Sequence, residues 1–342
     1  MATKKRLPAF DILKLFAIFM VLYGHCLQYF QTSPFAQDSV YRVIYSFHMP
    51  LFMMIGGFFS LHSFQLKFKG LVTKKFWELI YPVIIYGIVF FIISSIITLS
   101  QGDQIYPIWD LKAIYTKNLW FLKSEFICYI VAYFCFRKGI NIWLLVMSLI
   151  LSQFVVFHNI CTMYPAFILG VFLRKKTKLL DSKILLSISS IMFLLMLFFW
   201  DESFWSYEGL WPAPNILKTL TTGNTYYIII YLQKDLYRVL IGLSGSITFI
   251  TLFNIFFNKY SNSITKTAAM GGQYTLGVYI TQFFVLECFL GSYINFDNAD
   301  FILFHFVYSP IIAFSLLVIL TIFVKLTYKS KRLSFLMWGK TR

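Results

Sequence analysis

The chain alternates between long apolar runs and short segments that hold most of its charges. A helix needs about 20 mostly apolar residues to cross the roughly 30 Å hydrocarbon core of a bilayer. By that measure, the pattern predicts ten membrane-spanning helices and an all-α, polytopic integral membrane protein with 1–342 as a single domain. Their approximate bounds are 9–30, 41–65, 76–99, 118–136, 140–158, 160–173, 184–200, 236–257, 270–292 and 301–326. Residues 225–234 are interpreted as a re-entrant or interfacial piece.

Composition excludes both a soluble globular protein and a disordered chain. Hydrophobic residues make up 59% of the chain and charged residues only 13%, whereas a soluble domain carries about 25% charged residues. The first apolar run follows a short basic segment and contains no small-residue cleavage site. We therefore expect it to remain as a membrane span rather than to be removed as a signal peptide.

The distribution of basic residues predicts the orientation in the membrane. With the N-terminus inside and the spans alternating, 22 of the 30 lysines and arginines fall in inside segments and six fall outside. This asymmetry follows the positive-inside rule and predicts that both termini are cytoplasmic, with a short basic tail at about 328–342. The net charge of +16 is then explained by topology and by anionic lipid, so we expect no nucleic-acid partner.

The cysteines and loops narrow the function classes. The five cysteines form an odd set without metal-ligand spacing, so we expect buried, inert thiols, no disulfide framework and no metal. No Walker loop or glycine-rich nucleotide fingerprint is present, which argues against ATP-driven transport. The longest external stretch, about 201–235, is rich in Trp, Tyr and acidic residues. It is interpreted either as an interfacial aromatic belt or as a sugar-stacking lip over a cavity.

The first span carries three ionisable residues, Asp11, Lys14 and His25. Such groups are costly inside a membrane and are therefore candidates for function. Asp11 and Lys14 are three residues apart and can form an ion pair. The eleven residues from Lys14 to His25 turn the helix about 20° beyond three full turns, so both side chains share one face. They are about 16 Å apart along the axis.

Structural roles remain open for each of these residues. Asp11 and Lys14 could be an interfacial pair whose charges reach the headgroups, and His25 could form an interhelical hydrogen bond. In the second span, His48 is expected at a depth similar to that of His25, where two imidazoles could serve one site. Gly56 and Gly57 follow it and permit close helix packing or a break in the helix.

Other polar groups in or near the spans are weaker candidates. Lys123 and Glu125 follow Trp120 at the start of the fourth span and could be an interfacial pair. Glu287 and His305 are isolated in the last two spans, and we expect each to make an interhelical hydrogen bond. The inside basic loops, which include Lys74, Lys75 and the run from Arg174 to Lys183, could bind the phosphates of a nucleotide-like donor. Topology alone also explains most of these lysines.

Four segments together resemble the membrane-bound acyltransferase-3 superfamily, in particular its bacterial branch of fucose 4-O-acetylase-like and polysaccharide O-acetyltransferases. The first is the Asp11, Lys14 and His25 pattern of the opening helix. The second is Phe-His-Met-Pro-Leu-Phe at 47–52, followed by two glycines. The others are Asn-Leu-Trp-Phe-Leu at 118–122 and the glycine-rich segment at 271–282. The resemblance extends over about residues 6–330.

The sequence departs from the family pattern at several positions. Gly56 stands where Ser is usual, and Glu78 lies where the family often has Arg. Gln282 takes a place that is often His, and Lys14 replaces the commoner Arg, which weakens bidentate contact with phosphate. These departures concern the contacts with the donor more than the class of reaction.

The resemblance implies a single acyltransferase domain in the bacterial inner (cytoplasmic) membrane. Its donor would be an acyl-CoA, most often acetyl-CoA, and its acceptor a hydroxyl of a cell-surface or lipid-linked sugar or polysaccharide. His25 would be the general base or a transient acyl carrier, and Lys14, oriented by Asp11, would attract the donor. The remaining assignments are His48, Trp120, Glu125 and Gln282 for substrate binding and Lys74 and Lys75, with Lys14, for the donor.

Two alternatives differ in their chemistry. The enzyme could transfer succinyl or another short acyl group. The chain could instead be a transporter of a glycan or small solute, because carriers also use buried Asp, Lys and His groups. The sequence shows no pair of matching interrupted helices in two halves, which would favour a transporter. A homo-oligomer is compatible with the sequence.

Overall fold

The structure is a computed structural model that describes residues 7–31, 37–100, 102, 104–155, 157–200, 225–258 and 263–339. It describes only the backbone at 109, 113, 116, 117, 225–232, 264, 287, 288 and 292. The first basic segment at 4–6 and most of the external stretch proposed as a sugar-stacking lip, 201–224, lie outside the described residues.

Every regular element in the described residues is helical, which confirms the all-α prediction. The helices are α1 Pro8–Tyr29, α2 Ser39–Phe58, α3 Leu61–Phe64, α4 Phe68–Ser100, α5 Pro107–Lys117, α6 Trp120–Phe136, α7 Ile142–Ser152, α8 Ile160–Lys175, α9 Lys183–Phe198, α10 Thr225–Phe257, α11 Ser263–Gly271, α12 Thr275–Phe283, α13 Phe301–Thr327 and α14 Lys331–Trp338. Residues 225–234 are therefore part of one 33-residue helix rather than a separate piece.

Within the described parts of the chain, four helical segments are long and apolar enough to cross a membrane: Pro8–Tyr29, Phe68–Ser100, Gln233–Phe257 and Phe301–Thr327. Shorter apolar helices are Ile142–Ser152, Lys183–Phe198 and Thr275–Leu286. The number of ten spans and the cytoplasmic position of both termini stay predictions. Helix α8, the shortest predicted span, is buried along most of its length.

The chain forms two compact units. The first comprises 1–20, 36–66 and 127–273, and the second comprises 21–35, 67–126 and 274–342. This division into compact units does not test the prediction that residues 1–342 form a single domain.

The first unit is built on close contact between α2 and α8. An ideal Cβ on Gly57 would lie 1.9 Å from the backbone oxygen of Phe167, and a Cβ on Gly170 would lie 2.0 Å from that of Met54. Only glycine allows the two backbones to approach this closely, as in other packed membrane helices. The packing role expected for the glycine pair is therefore confirmed for Gly57.

One end of the first unit is rich in basic residues, and we call it the basic end. The C-terminal ends of α2, α6 and α8 meet there, because Arg174 lies 5.1 Å from the ring centre of Phe58 and Lys175 lies 5.3 Å from that of Phe136. The N-terminal part of α1 reaches the same end, where Phe10 stacks on Phe58 at 4.2 Å. The predicted inside segments that follow α6 and α8 thus lie near each other in this unit, beside the start of α1.

The second unit packs α12 against α13 and α14 against α4. The side chain of Trp338 on α14 is fully buried, and its indole N–H donates to the Thr327 hydroxyl at 3.0 Å. Gly339, at a positive φ of 66°, follows it and lies against the backbone of Trp77. Part of the predicted basic tail is therefore a folded helix that packs on its unit.

Three π-helical segments lie among the described residues of the second unit: Phe76–Ile80 within α4, Phe284–Leu290 directly after α12, and Phe304–Tyr308 within α13. Such segments often accompany functional sites. Each one holds an ionisable residue singled out in the sequence, namely Glu78, Glu287 and His305.

Candidate functional site

The first turns of α1 carry an ion pair in the first unit. The Lys14 ammonium lies 3.1 Å from Asp11 Oδ1, as the three-residue spacing predicts. Both side chains are mostly buried, with 25% of Lys14 and 14% of Asp11 exposed. The ammonium also lies 4.7 Å from the ring centre of Phe59. Lys14 is thus held between a carboxylate and an aromatic face, in a setting where a cation interacts more strongly than in water.

A second cation lies beside this pair. Arg174 at the end of α8 lies over Phe58, and the Phe58 and Phe59 rings contact each other edge to face at 5.2 Å. Lys14 and Arg174 therefore lie over two neighbouring aromatic rings, Phe59 and Phe58, at the basic end. In the sequence Arg174 is only one member of a basic loop, 160 positions from Lys14, and no pattern associates the two residues.

The position of α1 at this site is set by a glycine. A Cβ on Gly272 would lie 1.8 Å from the carbonyl oxygen of Asp11. The segment after α11 therefore packs directly on the α1 backbone where the ion pair begins. Gly272 belongs to the glycine-rich segment at 271–282, which the sequence marks only by its resemblance to the family. The structure shows that this segment packs on α1.

His25 lies in the part of α1 that belongs to the second unit. Its Nδ1 lies 3.3 Å from Gln28 Oε1, and its ring stacks on Tyr29 at 5.7 Å. With the amide oxygen as acceptor, Nδ1 carries the proton and Nε2 has the basic lone pair. Helix α1 is continuous from Pro8 to Tyr29. The prediction that Lys14 and His25 share one face of the helix requires this continuity.

His48 is buried within the first unit, with 2% of its surface exposed. Its Nδ1 lies 2.8 Å from the Ile44 carbonyl oxygen of the same helix, and its ring meets that of Tyr45 edge to face at 4.4 Å. The Nδ1 proton is therefore used within α2, so Nε2 is the nitrogen that can accept a proton.

The lysines assigned to the donor differ in their surroundings. Lys75 is buried and forms an ion pair with Glu78 at 2.8 Å within α4. Lys74 is more exposed. Glu78, the acidic departure from the family pattern, thus neutralises one of the two assigned cations.

Three of the four residues assigned to the acceptor, Trp120, Glu125 and Gln282, lie in the second unit on two helices, whereas His48 lies in the first unit. Trp120 begins α6, where its carbonyl oxygen accepts from Ser124, and Glu125 follows one turn later. Gln282 on α12 is buried, and its side-chain oxygen has no hydrogen-bond partner among the described residues. A buried amide oxygen without a partner is rare and suits a group that receives a hydrogen bond from a ligand.

Lys123 and His305 each form hydrogen bonds within the second unit. The Lys123 ammonium donates to the Tyr115 carbonyl oxygen, which lies on another helix. His305 Nδ1 lies 2.8 Å from the Phe301 carbonyl oxygen of its own helix, and the His305 backbone oxygen accepts a hydrogen bond from the Tyr23 hydroxyl of α1. The side chain of Glu287 lies outside the described residues.

The described cysteines are buried free thiols, as their apolar neighbours in the sequence predict. Four cysteines, Cys26, Cys128, Cys135 and Cys161, are free and buried, which confirms the prediction of buried thiols for these positions. Among the described residues, no group of three His, Cys, Asp or Glu side chains could hold a metal ion.

Comparison with known proteins identifies the family. A stretch of 157 residues, 44% of this chain, is 28% identical to the nodulation protein NolL of Mesorhizobium japonicum and covers 42% of that protein. The chain thus matches less than half of this relative's length. No solved structure matches the chain. The model of the acyltransferase domain matches residues 7–328, and the chain therefore belongs to the acyltransferase-3 family.

Proposed function

We propose that this acyltransferase moves an acetyl group from acetyl-CoA to a hydroxyl of a cell-surface or lipid-linked sugar, within the bacterial cytoplasmic membrane. The single observation that carries this proposal is the charged and aromatic setting of Lys14. A cation held by Asp11 and Phe59 among further basic groups suits an anionic, cytoplasmic donor such as acetyl-CoA. Its position on a helix that also carries His25 supports acyl transfer rather than binding alone.

In this proposal, His25 acts as the general base. Its Nε2 takes the proton of the acceptor hydroxyl while the hydroxyl oxygen attacks the thioester carbonyl carbon. The tetrahedral intermediate then collapses, the carbon–sulfur bond breaks, and the CoA sulfur leaves with the proton returned from His25. Gln28 keeps the other ring proton on Nδ1 and so fixes the tautomer that this step requires.

The other assigned residues bind the two substrates. Lys14, oriented by Asp11, attracts the donor's phosphate or carbonyl oxygens. Lys74 adds positive charge, and Lys75 contributes to donor binding by exchanging its ion pair with Glu78 for one with a donor phosphate. On the acceptor side, we propose binding by His48, Trp120, Glu125 and Gln282. An aromatic ring suits the face of a sugar, and an amide oxygen without a partner suits a sugar hydroxyl.

The proposal is tested by incubating membranes that contain the protein with radiolabelled acetyl-CoA and analysing the glycan fraction. We expect label in the glycan with the wild type and none with His25→Ala. The matched control is His62→Ala, since His62 is an exposed histidine on the short helix α3. Equal labelling by His25→Ala and wild type would refute the role of His25.

Parallel reactions separate the alternatives. Label from succinyl-CoA but not from acetyl-CoA would identify a succinyltransferase. No transfer from either donor, together with solute flux in proteoliposomes, would identify a transporter and overturn the proposal.

A further inference from the structure

The connection between α6 and α7 encloses a cleft at the basic end of the first unit. Its volume is about 510 Å³, and its wall runs from Tyr133 through the turn to Trp143. Gly139 makes the turn at a positive φ of 110°. The proposed roles of the catalytic and substrate-binding residues use no part of this cleft.

The wall of the cleft is positively charged. Arg137 and Lys138 line it, and none of the described residues of the wall is acidic. Neither cation forms an ion pair with a carboxylate among the residues that the structure describes. The Arg137 guanidinium lies 5.4 Å from the ring centre of Tyr133, which orients it at the edge of the cleft. The chemistry that this wall recognises is an anion, and a phosphodiester in particular.

An exposed apolar stripe leads away from the cleft along α7. Its members are Ile142, Trp143, Val146, Met147 and Ile150, which recur at helical spacing on one face. Trp143 is 79% exposed at the mouth of the cleft, in the position that tryptophan prefers at the membrane interface. The 11 residues of α7 extend about 16 Å, which is close to the thickness of one bilayer leaflet.

We propose that this cleft binds the headgroup of an anionic phospholipid, with the phosphodiester against Arg137 and Lys138 and one acyl chain along α7. The positively charged wall and the apolar stripe adjoin each other, and a lipid can contact the first with its headgroup and the second with an acyl chain. A soluble phosphate compound would contact only the cations, whereas a lipid contacts the cations and the adjacent stripe with one molecule, so the lipid is the occupant that the surface favours. Basic pockets beside membrane helices bind anionic headgroups in this way.

The experiment uses the full-length protein reconstituted in bilayers that contain brominated phosphatidylglycerol or brominated phosphatidylcholine. Bromine quenches nearby tryptophan fluorescence, and the difference between wild type and Trp143→Phe reports Trp143 alone. We expect phosphatidylglycerol to be preferred at Trp143 by about thirtyfold, as two surface cations would provide. The double variant Arg137→Gln/Lys138→Gln should lose the preference.

Two controls make the result specific to the cleft. The exchange Arg137→Lys/Lys138→Arg keeps both charges and should retain the preference. Lys176→Gln/Lys178→Gln removes two exposed charges after α8 and should also retain it. Equal quenching by the two lipids in the wild type, or an unchanged preference in the Arg137→Gln/Lys138→Gln protein, would overturn the proposal. Displacement of the lipid by soluble coenzyme A would assign the cleft to the donor and would overturn it as well.

Discussion

The close contact between Gly272 and the α1 backbone allows the effect of the variant Gly272→Ala on stability and activity to be predicted quantitatively. The added Cβ would lie 1.8 Å from the Asp11 carbonyl oxygen. Carbon and oxygen atoms in ordinary close contact are about 3.3 Å apart, so the two segments would have to separate by about 1.5 Å. Neither contacting atom belongs to a flexible side chain that could rotate away. The separation must therefore be taken up by the backbone that carries Lys14.

This displacement should reduce both stability and activity. Overpacking of this kind costs about 1–3 kcal/mol of unfolding free energy, and a shift of about 1 Å at a catalytic group lowers the rate about a hundredfold. The measurements are kcat/KM for transfer from labelled acetyl-CoA and the thermal unfolding midpoint of the purified protein. We expect a large loss in the first and a clear decrease in the second.

The neighbouring glycine provides the control. In Gly271→Ala the added Cβ would lie 3.1 Å from a terminal methyl of Leu15, whose side chain can rotate away. This variant should retain activity and stability close to the wild type. If Gly272→Ala behaves like Gly271→Ala in both measurements, the reasoning from the backbone contact is refuted.

Three further predictions follow from individual contacts. Gly57→Ala should lower the unfolding free energy by about 1–3 kcal/mol, since the new Cβ would meet backbone atoms of α8; an unchanged denaturation midpoint would contradict this. Asp11→Asn removes the charge that orients Lys14 and should raise the KM for acetyl-CoA about tenfold with little change in kcat. Steady-state kinetics that show a lower kcat and an unchanged KM would exclude the orienting role. Asn254→Ala removes the 2.9 Å bond that its amide donates to Asp181 and should cost about 2 kcal/mol; a thermal melt that matches the wild type would show that this bond is unimportant.

The features that the sequence predicts well are those governed by local periodicity. The bounds of α1, α6, α9 and α13 lie within about two residues of the predicted spans, because runs of apolar residues in a membrane have no stable alternative to the helix. The Asp11–Lys14 pair is predicted for a similar reason, since residues three apart on a helix are always neighbours.

The helices that the sequence analysis misses are those with weaker apolar character. Helix α5 lies in a predicted loop; it begins with Pro107, and Asp110 accepts the backbone N–H of Tyr106. Proline at the first position and an acidic residue in the first turn are signals that could have identified it. Helix α14 lies in the predicted basic tail, where Ser330 caps its first turn and Trp338 anchors its last.

The sequence by itself determined the all-α class, the apolar helices and the family, because these depend on residue type and on spacing along one helix. The tertiary structure decided which residues from distant parts of the chain meet. Arg174 approaches Lys14 through Phe58 and Phe59, and Gly272 contacts Asp11, although each pair is separated by more than 150 positions. Contacts between helices depend on how their surfaces pack, and no periodicity within a single helix contains that information.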